Sequence, residues 1–214
     1  MTGMIKQTVA AMALMAMTGC SAISGAAGMV GNVVGGPAAP SMADSLGFGP
    51  DDVVADPDAF ILVQVSGRDI AGLAREVNAN GDVRTWIGES GYSITLDDGL
   101  LVATRGLGDD LIAANTAGVR AALRNGGGTT ERQHDYIDAL DQIRTETYDC
   151  AVVRVGPEEV DLGVRKETLL LMTETCQNQW IRFENRYFVD NTGTIIAARQ
   201  FVSQTVAYLR NNSL

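Results

Sequence analysis

The chain has 214 residues, with 26 Asp and Glu against 16 Lys and Arg, one His, three Cys and a net charge of −10 at neutral pH. That length holds one domain with a proper core, and not two of ordinary size once a leader and a linker are set aside. The acidic balance argues against nucleic acid, whose phosphates need a basic face, and against adhesion to anionic lipid by charge.

The N-terminus reads as an address. Lys6 supplies a basic start, Val9 to Met17 an apolar run, and Met17-Thr18-Gly19-Cys20 a lipobox. The run is much shorter than the ~20 residues of a spanning helix, so residues 1–19 are expected to be a cleaved lipoprotein signal peptide. Thr18 and Gly19 fit a narrow peptidase site, and the Cys20 thiol accepts the lipid. Each buried acyl CH₂ adds about 0.8 kcal/mol, so several chains anchor the protein without help from charge. Ser21 rather than Asp follows the cysteine, which by resemblance to enterobacterial lipoproteins implies export to the periplasmic face of the outer membrane. Residues 20–57 are rich in Gly, Ala, Pro and Ser and too poor in large apolar residues to form a core, which predicts a tether.

From residue 58 onward a single β-rich domain is expected. Ala59 to Val65 is a β-branched apolar run, Gly72 to Asn78 and Val83 to Ile87 flank the turn Asn80-Gly81-Asp82, and Tyr92 to Leu96 pairs with Leu100 to Thr104 across Asp97-Asp98-Gly99. Between Asp109 and Leu123 the apolar period changes, predicting one helix that Asn125 and Gly126 to Gly128 terminate. Strands are then predicted at 136–147, 151–155, 168–176, 180–189 and 193–202, with Asp190 to Gly193 as the last turn. Many short strands and one helix predict an antiparallel meander curled into a sandwich or partial barrel. With Cys20 lipidated, Cys150 and Cys176 remain as an even pair in an oxidising compartment and are expected to bond. A loop of roughly 25 residues closed in this way is worth about 3 kcal/mol.

Chemical constellations are weak. His134 is the single histidine, so zinc has no His pair, and no Gly-x-Ser-x-Gly elbow displays a nucleophile. Glu174, Glu184 and Asp190 could be arranged as glycosidase carboxylates, but among 26 acids a solvated face is the simpler reading. Gly126 to Gly128 lacks a following Lys, and Gly106-Leu107-Gly108 lacks its third glycine and meets Asp109 and Asp110 where a pyrophosphate would lie. No catalytic residue, metal or cofactor is expected. Trp86, Trp180, Tyr187 and Phe188 could form a platform for sugar rings or belong to the core.

Two stretches carry a family resemblance: Thr85-Trp86 through Asp98-Gly99 to Thr104-Arg-Gly106-Leu107, and Asn185-Arg-Tyr187-Phe-Val-Asp190 with Gly193 and Arg199-Gln200. In this order they resemble the YjbF/GfcB lipoproteins of group 4 capsule and exopolysaccharide loci. The resemblance implies a mainly β lipoprotein of the outer membrane, acting in polysaccharide export or assembly without a reaction of its own, with export proteins or the polysaccharide as partners. Asn185, Arg199 and Gln200 are polar among apolar strands; they either cap buried backbone groups or, with Trp86, Trp180 and Tyr187, touch a glycan or partner. A second reading, a half-open barrel that carries acyl chains, requires a large apolar cavity.

Overall fold

Alternation of buried and exposed side chains builds twelve strands in the computed structural model, which describes residues 50–214. A short helix α1 (Pro50–Ala55) and a 3₁₀ turn (Pro57–Ala59) lead into β1 (Phe60–Val65), β2 (Ile70–Asn80), β3 (Val83–Gly88), β4 (Ser93–Asp97), β5 (Leu100–Arg105) and β6 (Ala113–Asn115). Helix α2 (Ala117–Arg124) follows, then β7 (Gly127–Ile137), β8 (Ile143–Asp161), β9 (Lys166–Gln177), β10 (Arg182–Val189), β11 (Ile195–Ser203) and β12 (Ala207–Ser213). All pair antiparallel in one sheet of order β5-β4-β3-β2-β1-β12-β11-β10-β9-β8-β7-β6. The expected meander is therefore a nearly closed barrel. Its outermost strands, β5 and β6, are consecutive in the chain, and the link between them bonds back to β5 through Thr104 N–H to Leu111 O at 2.8 Å.

The seam between β5 and β7 is filled by side chains rather than by a continuous ladder. Gln200 of β11 accepts from Leu101 N (2.8 Å) and donates to Gly99 O (2.9 Å), while Arg132 of β7 donates to Leu101 O (3.2 Å). Backbone groups that a neighbouring strand would have paired are thus satisfied from inside, as burial demands.

The core has three interior parts, one of them Tyr148, Phe183 and Phe201 around Cys150 and Cys176, and one exterior part. Val63, Val65, Ile94, Leu96, Leu101 and Leu107 fill one side of the barrel. On the other side α2 lays Val119 and Ala122 onto Val152, Met172, Tyr187 and Val189. Gly118 lets the helix approach β7, since a Cβ there would sit 1.9 Å from Thr130 Oγ1. Beyond an irregularity at Arg154/Gly156, the β8–β9 hairpin buries Val160, Leu162, Leu169 and Leu171 with Phe188 and Ala197 of β10 and β11.

Local expectations differ from the structure at five places. Helix α2 begins at Ala117, not Asp109, because Asp110 instead braces the preceding loop: its carboxylate accepts from Gly106 N (2.8 Å), Leu107 N (3.1 Å) and Thr104 Oγ1 (2.8 Å). The strand expected over 136–147 straddles the β7–β8 turn, where Asp138 Oδ1 accepts from the amides of Leu140 and Gln142. Strand β7 begins inside the glycine run expected to be only a stop, and β12 had no counterpart in the sequence reading. Residues 50–55, expected as tether, are helical. Cys20, the lipobox and the glycine-rich stretch around residues 28–36 lie outside the described residues.

Candidate functional site

The strand register places the β2–β3, β4–β5 and β10–β11 turns, α2, the start of β1 and the end of β12 at one mouth of the barrel. The β4–β5 turn shapes this mouth. Asp98 (φ 54°) and Gly99 (φ 80°) both adopt left-handed backbone, as a tight two-residue hairpin turn requires. A Cβ on Gly99 would lie 2.7 Å from Ile195 Cβ, so the turn rests directly on the start of β11 and divides the mouth into two cavities.

The larger cavity, about 470 Å³, lies among β1, β3, β4 and β12; Phe60, Ile61, Trp86 and Leu96 form its apolar part, and Asp58, Asp82, Arg84, Asp98 and Thr194 its polar part. Two buried side chains lining it are incompletely bonded. Trp86 is 7% exposed and Asn211 3% exposed, yet Trp86 Nε1–H finds no acceptor and Asn211 Oδ1 no donor within the protein. The smaller cavity, about 370 Å³, has Leu100, Leu123, Leu170 and Met172 beneath Arg120, Arg124 and Arg154. Asp98 holds the partition by pairing with Arg124 at 2.9 Å, and Arg120 pairs with Asp97.

The barrel interior carries a second polar assembly. Glu174 Oε2 accepts from Arg132 Nη1 (2.9 Å), Tyr187 Oη (2.6 Å) and Asn185 Nδ2 (2.8 Å), and every one of these side chains is fully buried. Arg132 Nε donates to His134 Nε2 at 2.8 Å, which leaves Nδ1–H to face Tyr136 Oη at 3.0 Å, and that hydroxyl donates to Val202 O at 2.6 Å. Burial, reinforced by the Arg132 charge, holds the His134 pKa well below 6.5, so the ring is neutral. Burial also pushes Tyr187 well above its usual value, with the Glu174 charge adding to the effect. For Arg132 burial is the largest single effect and pulls downward, but the facing Glu174 and Tyr187 oxygens, by charge and hydrogen bonding together, outweigh it and the guanidinium stays protonated.

Cys150 and Cys176, cross-strand partners on β8 and β9, are joined with sulfurs 2.00 Å apart. Their sulfurs and a Glu174 oxygen cluster within 4.8 Å, but a disulfide offers no thiolate and Glu174 is already committed to three donors, so the trio is not a metal centre in this oxidised state.

The residues singled out in the sequence do not share one surface. Trp86 lines the larger cavity, whereas Trp180 is 79% exposed in the β9–β10 turn at the opposite end of the barrel. Tyr187 and Phe188 are buried in separate clusters, so no common aromatic platform exists among them. Asn185 Oδ1 accepts from Phe201 N (2.7 Å) beside the β11 irregularity, and Gln200 caps the seam. Arg199 donates to Glu184 O at 3.4 Å and lies over the Tyr208 ring. Glu174, read from sequence as belonging to a solvated face, is instead wholly buried and ion-paired. Asn211 was missed: a polar residue near the C-terminus has no local signal that brings it to the cavity Trp86 also lines, more than a hundred positions earlier.

No curated protein matches this sequence. Among solved structures, the hypothetical lipoprotein YmcC from Escherichia coli (K12) superposes with a TM-score of 0.63 at 17% identity, over 76% of this chain and 86% of that one, which establishes a shared fold. The family described as "Group 4 capsule polysaccharide lipoprotein gfcB, YjbF" matches residues 37–214. With the match covering most of its length, the whole described barrel included, this chain belongs to the YjbF group 4 capsule polysaccharide lipoprotein family.

Proposed function

We propose that this protein is a lipid-anchored accessory factor at the periplasmic face of the outer membrane, acting without catalysis in capsule or exopolysaccharide export or assembly through protein or glycan contacts. The observation that carries this reading is the family match across residues 37–214. The chemistry of the barrel is consistent with it. The buried His134, Glu174 and Arg132 have the look of catalytic machinery, but each is held by structural partners away from both mouth cavities. Nothing specific favours the acyl-carrier alternative: packed side chains fill the interior, and both cavities are polar as well as apolar. The lipobox supplies the anchor, with Cys20 as the acyl acceptor.

Deleting the gene should reduce surface polysaccharide, and a Cys20→Ser chain should fold normally, partition into the soluble periplasmic fraction and fail to restore export. Unchanged polysaccharide in the deletion strain, measured while the locus is expressed, would refute the role; membrane retention of the Cys20→Ser chain would refute the anchor.

A further inference from the structure

We infer that two copies of this chain associate edge to edge through β8, pairing residues 143–147 antiparallel about a two-fold axis at Thr145.

The edge is open. Strand β8 pairs with β7 from Ile143 to Val153 without a shift, but with β9 only from Asp149 onward. Residues 143–148 therefore have no strand on the β9 side, and among the described residues no other backbone bonds to them there. The disulfide reveals which residues point that way. Cys150 and Cys176 face each other with Cα atoms 4.1 Å apart, the close spacing of a non-hydrogen-bonded pair, so Cys150 directs its N–H and C=O toward β7. With the β7 register continuous, Arg144, Glu146 and Tyr148 do the same, and Ile143, Thr145 and Thr147 direct theirs to the open edge. These three are exposed and β-branched, and neither Pro nor Lys nor a bulge blunts the stretch.

Charge chooses the occupant. In a pairing centred on Thr145, Ile143 faces Thr147 of the second copy and Thr145 faces its own equivalent, so every edge-directed residue exchanges both of its hydrogen bonds. Arg144 then faces Glu146 of the second copy at the closer cross-strand spacing. Moving the axis by one residue would set Arg144 against Arg144 or Glu146 against Glu146 and leave edge groups unpaired. Within one chain Arg144 already pairs with Glu146, and the two-fold joins both pairs into a ring of alternating charge. Both side chains keep exposed surface, 52% for Arg144 and 17% for Glu146, and they line a cavity of about 220 Å³ with Asp109, Tyr136 and Gln204 that has room for the second guanidinium. Because β9 stops at Gln177, opposite Asp149, the same pairing carries the second copy's β7–β8 turn up to the β9–β10 turn. Leu140, 76% exposed, and Trp180, apolar tips that stand in solvent on the single barrel, then meet. Asp138 and Asp141 flank Leu140, so an anionic lipid surface would repel this turn.

Sedimentation of the whole chain carrying Cys20→Ser, so that no acyl group drives association, should show a reversible dimer with Kd below about 100 μM. Arg144→Glu and Glu146→Arg should each weaken it at least about tenfold, while the double exchange should return it to within about threefold of the parent. Thr145→Pro removes an N–H on the open edge and no bond to β7, so it should abolish the dimer in a chain whose melting curve shows it folded. Amide hydrogen exchange on the parent reads the register: protection at Ile143, Thr145 and Thr147 should rise with protein concentration, while Arg144, Glu146 and Tyr148 stay protected by β7 throughout. A parent chain still monomeric at about 500 μM, edge amides whose protection ignores concentration, a dimer indifferent to the charge reversals or to Thr145→Pro, or a double exchange no tighter than the singles would overturn the proposal. So would protection at those amides gained only with vesicles of phosphatidylethanolamine and phosphatidylglycerol, which would assign the edge to a membrane.

Discussion

Replacing Glu174 with glutamine removes one charge from the barrel interior while keeping nearly the same shape. The glutamine oxygen can occupy the Oε2 position and still accept from Arg132, Tyr187 and Asn185, so hydrogen bonding is largely preserved. What is lost is the counter-charge to Arg132, whose side chain is fully buried and 2.9 Å from the carboxylate. At an effective dielectric near 20, two unit charges at that distance attract by about 6 kcal/mol, offset in the native pair by the desolvation of both ions. In the variant the Arg132 desolvation remains and the attraction is gone, so destabilisation of about 3–5 kcal/mol is expected. For a domain of this size that lowers Tm by about 6–20 °C. Urea unfolding followed by circular dichroism measures it, and a cycle with Arg132→Met isolates the coupling, since the double variant should lose less than the sum of the singles. A Glu174→Gln protein within about 1 kcal/mol of the parent, or additive single losses, would refute the view that the pair acts as a unit.

Two further outcomes follow from the same interior. Because the folded His134 pKa lies well below the ordinary 6.5, the unfolded chain takes up a proton that the folded one does not as pH falls below 6.5. The stabilising contribution is therefore complete above pH 6.5 and is lost toward acid at about 1.4 kcal/mol per pH unit; His134→Gln should flatten that slope between pH 6.5 and 5 in denaturant titrations, and an unchanged slope would contradict it. Replacing Cys150 and Cys176 together with Ala should lower stability by about 2–5 kcal/mol, read from urea midpoints against the oxidised parent, and a loss below about 1 kcal/mol would mean that the bridge adds little to the constraint already imposed by the β8–β9 ladder.

Much of the fold was legible along the chain because its signals are local. Turn chemistry at Asn80-Gly81-Asp82, Asp97-Asp98-Gly99 and Asp190-Asn-Thr-Gly193 marked hairpins that the structure contains, and alternation through Ile94 and Leu96 set the facing of β4. The misread segments are those in which long-range contacts override local pattern. Leu111 has helical spacing to Val119, yet the two belong to different cores, and β7 escapes an apolar-alternation test because Arg132 and His134 are among the residues it turns inward.

The sequence by itself determined the acidic character, the β class and the family, since each depends on composition, short motifs or their order. Tertiary structure decided what the polar residues do. Only closure of the sheet sets Gln200 against the backbone of β5, places Glu174 against Arg132 across 42 positions of chain, and brings Asn211 of the final strand to the cavity that Trp86 lines. Burial and partnership are properties of that closure rather than of spacing along the chain, which is why the residues that form the mouth had to be found in three dimensions.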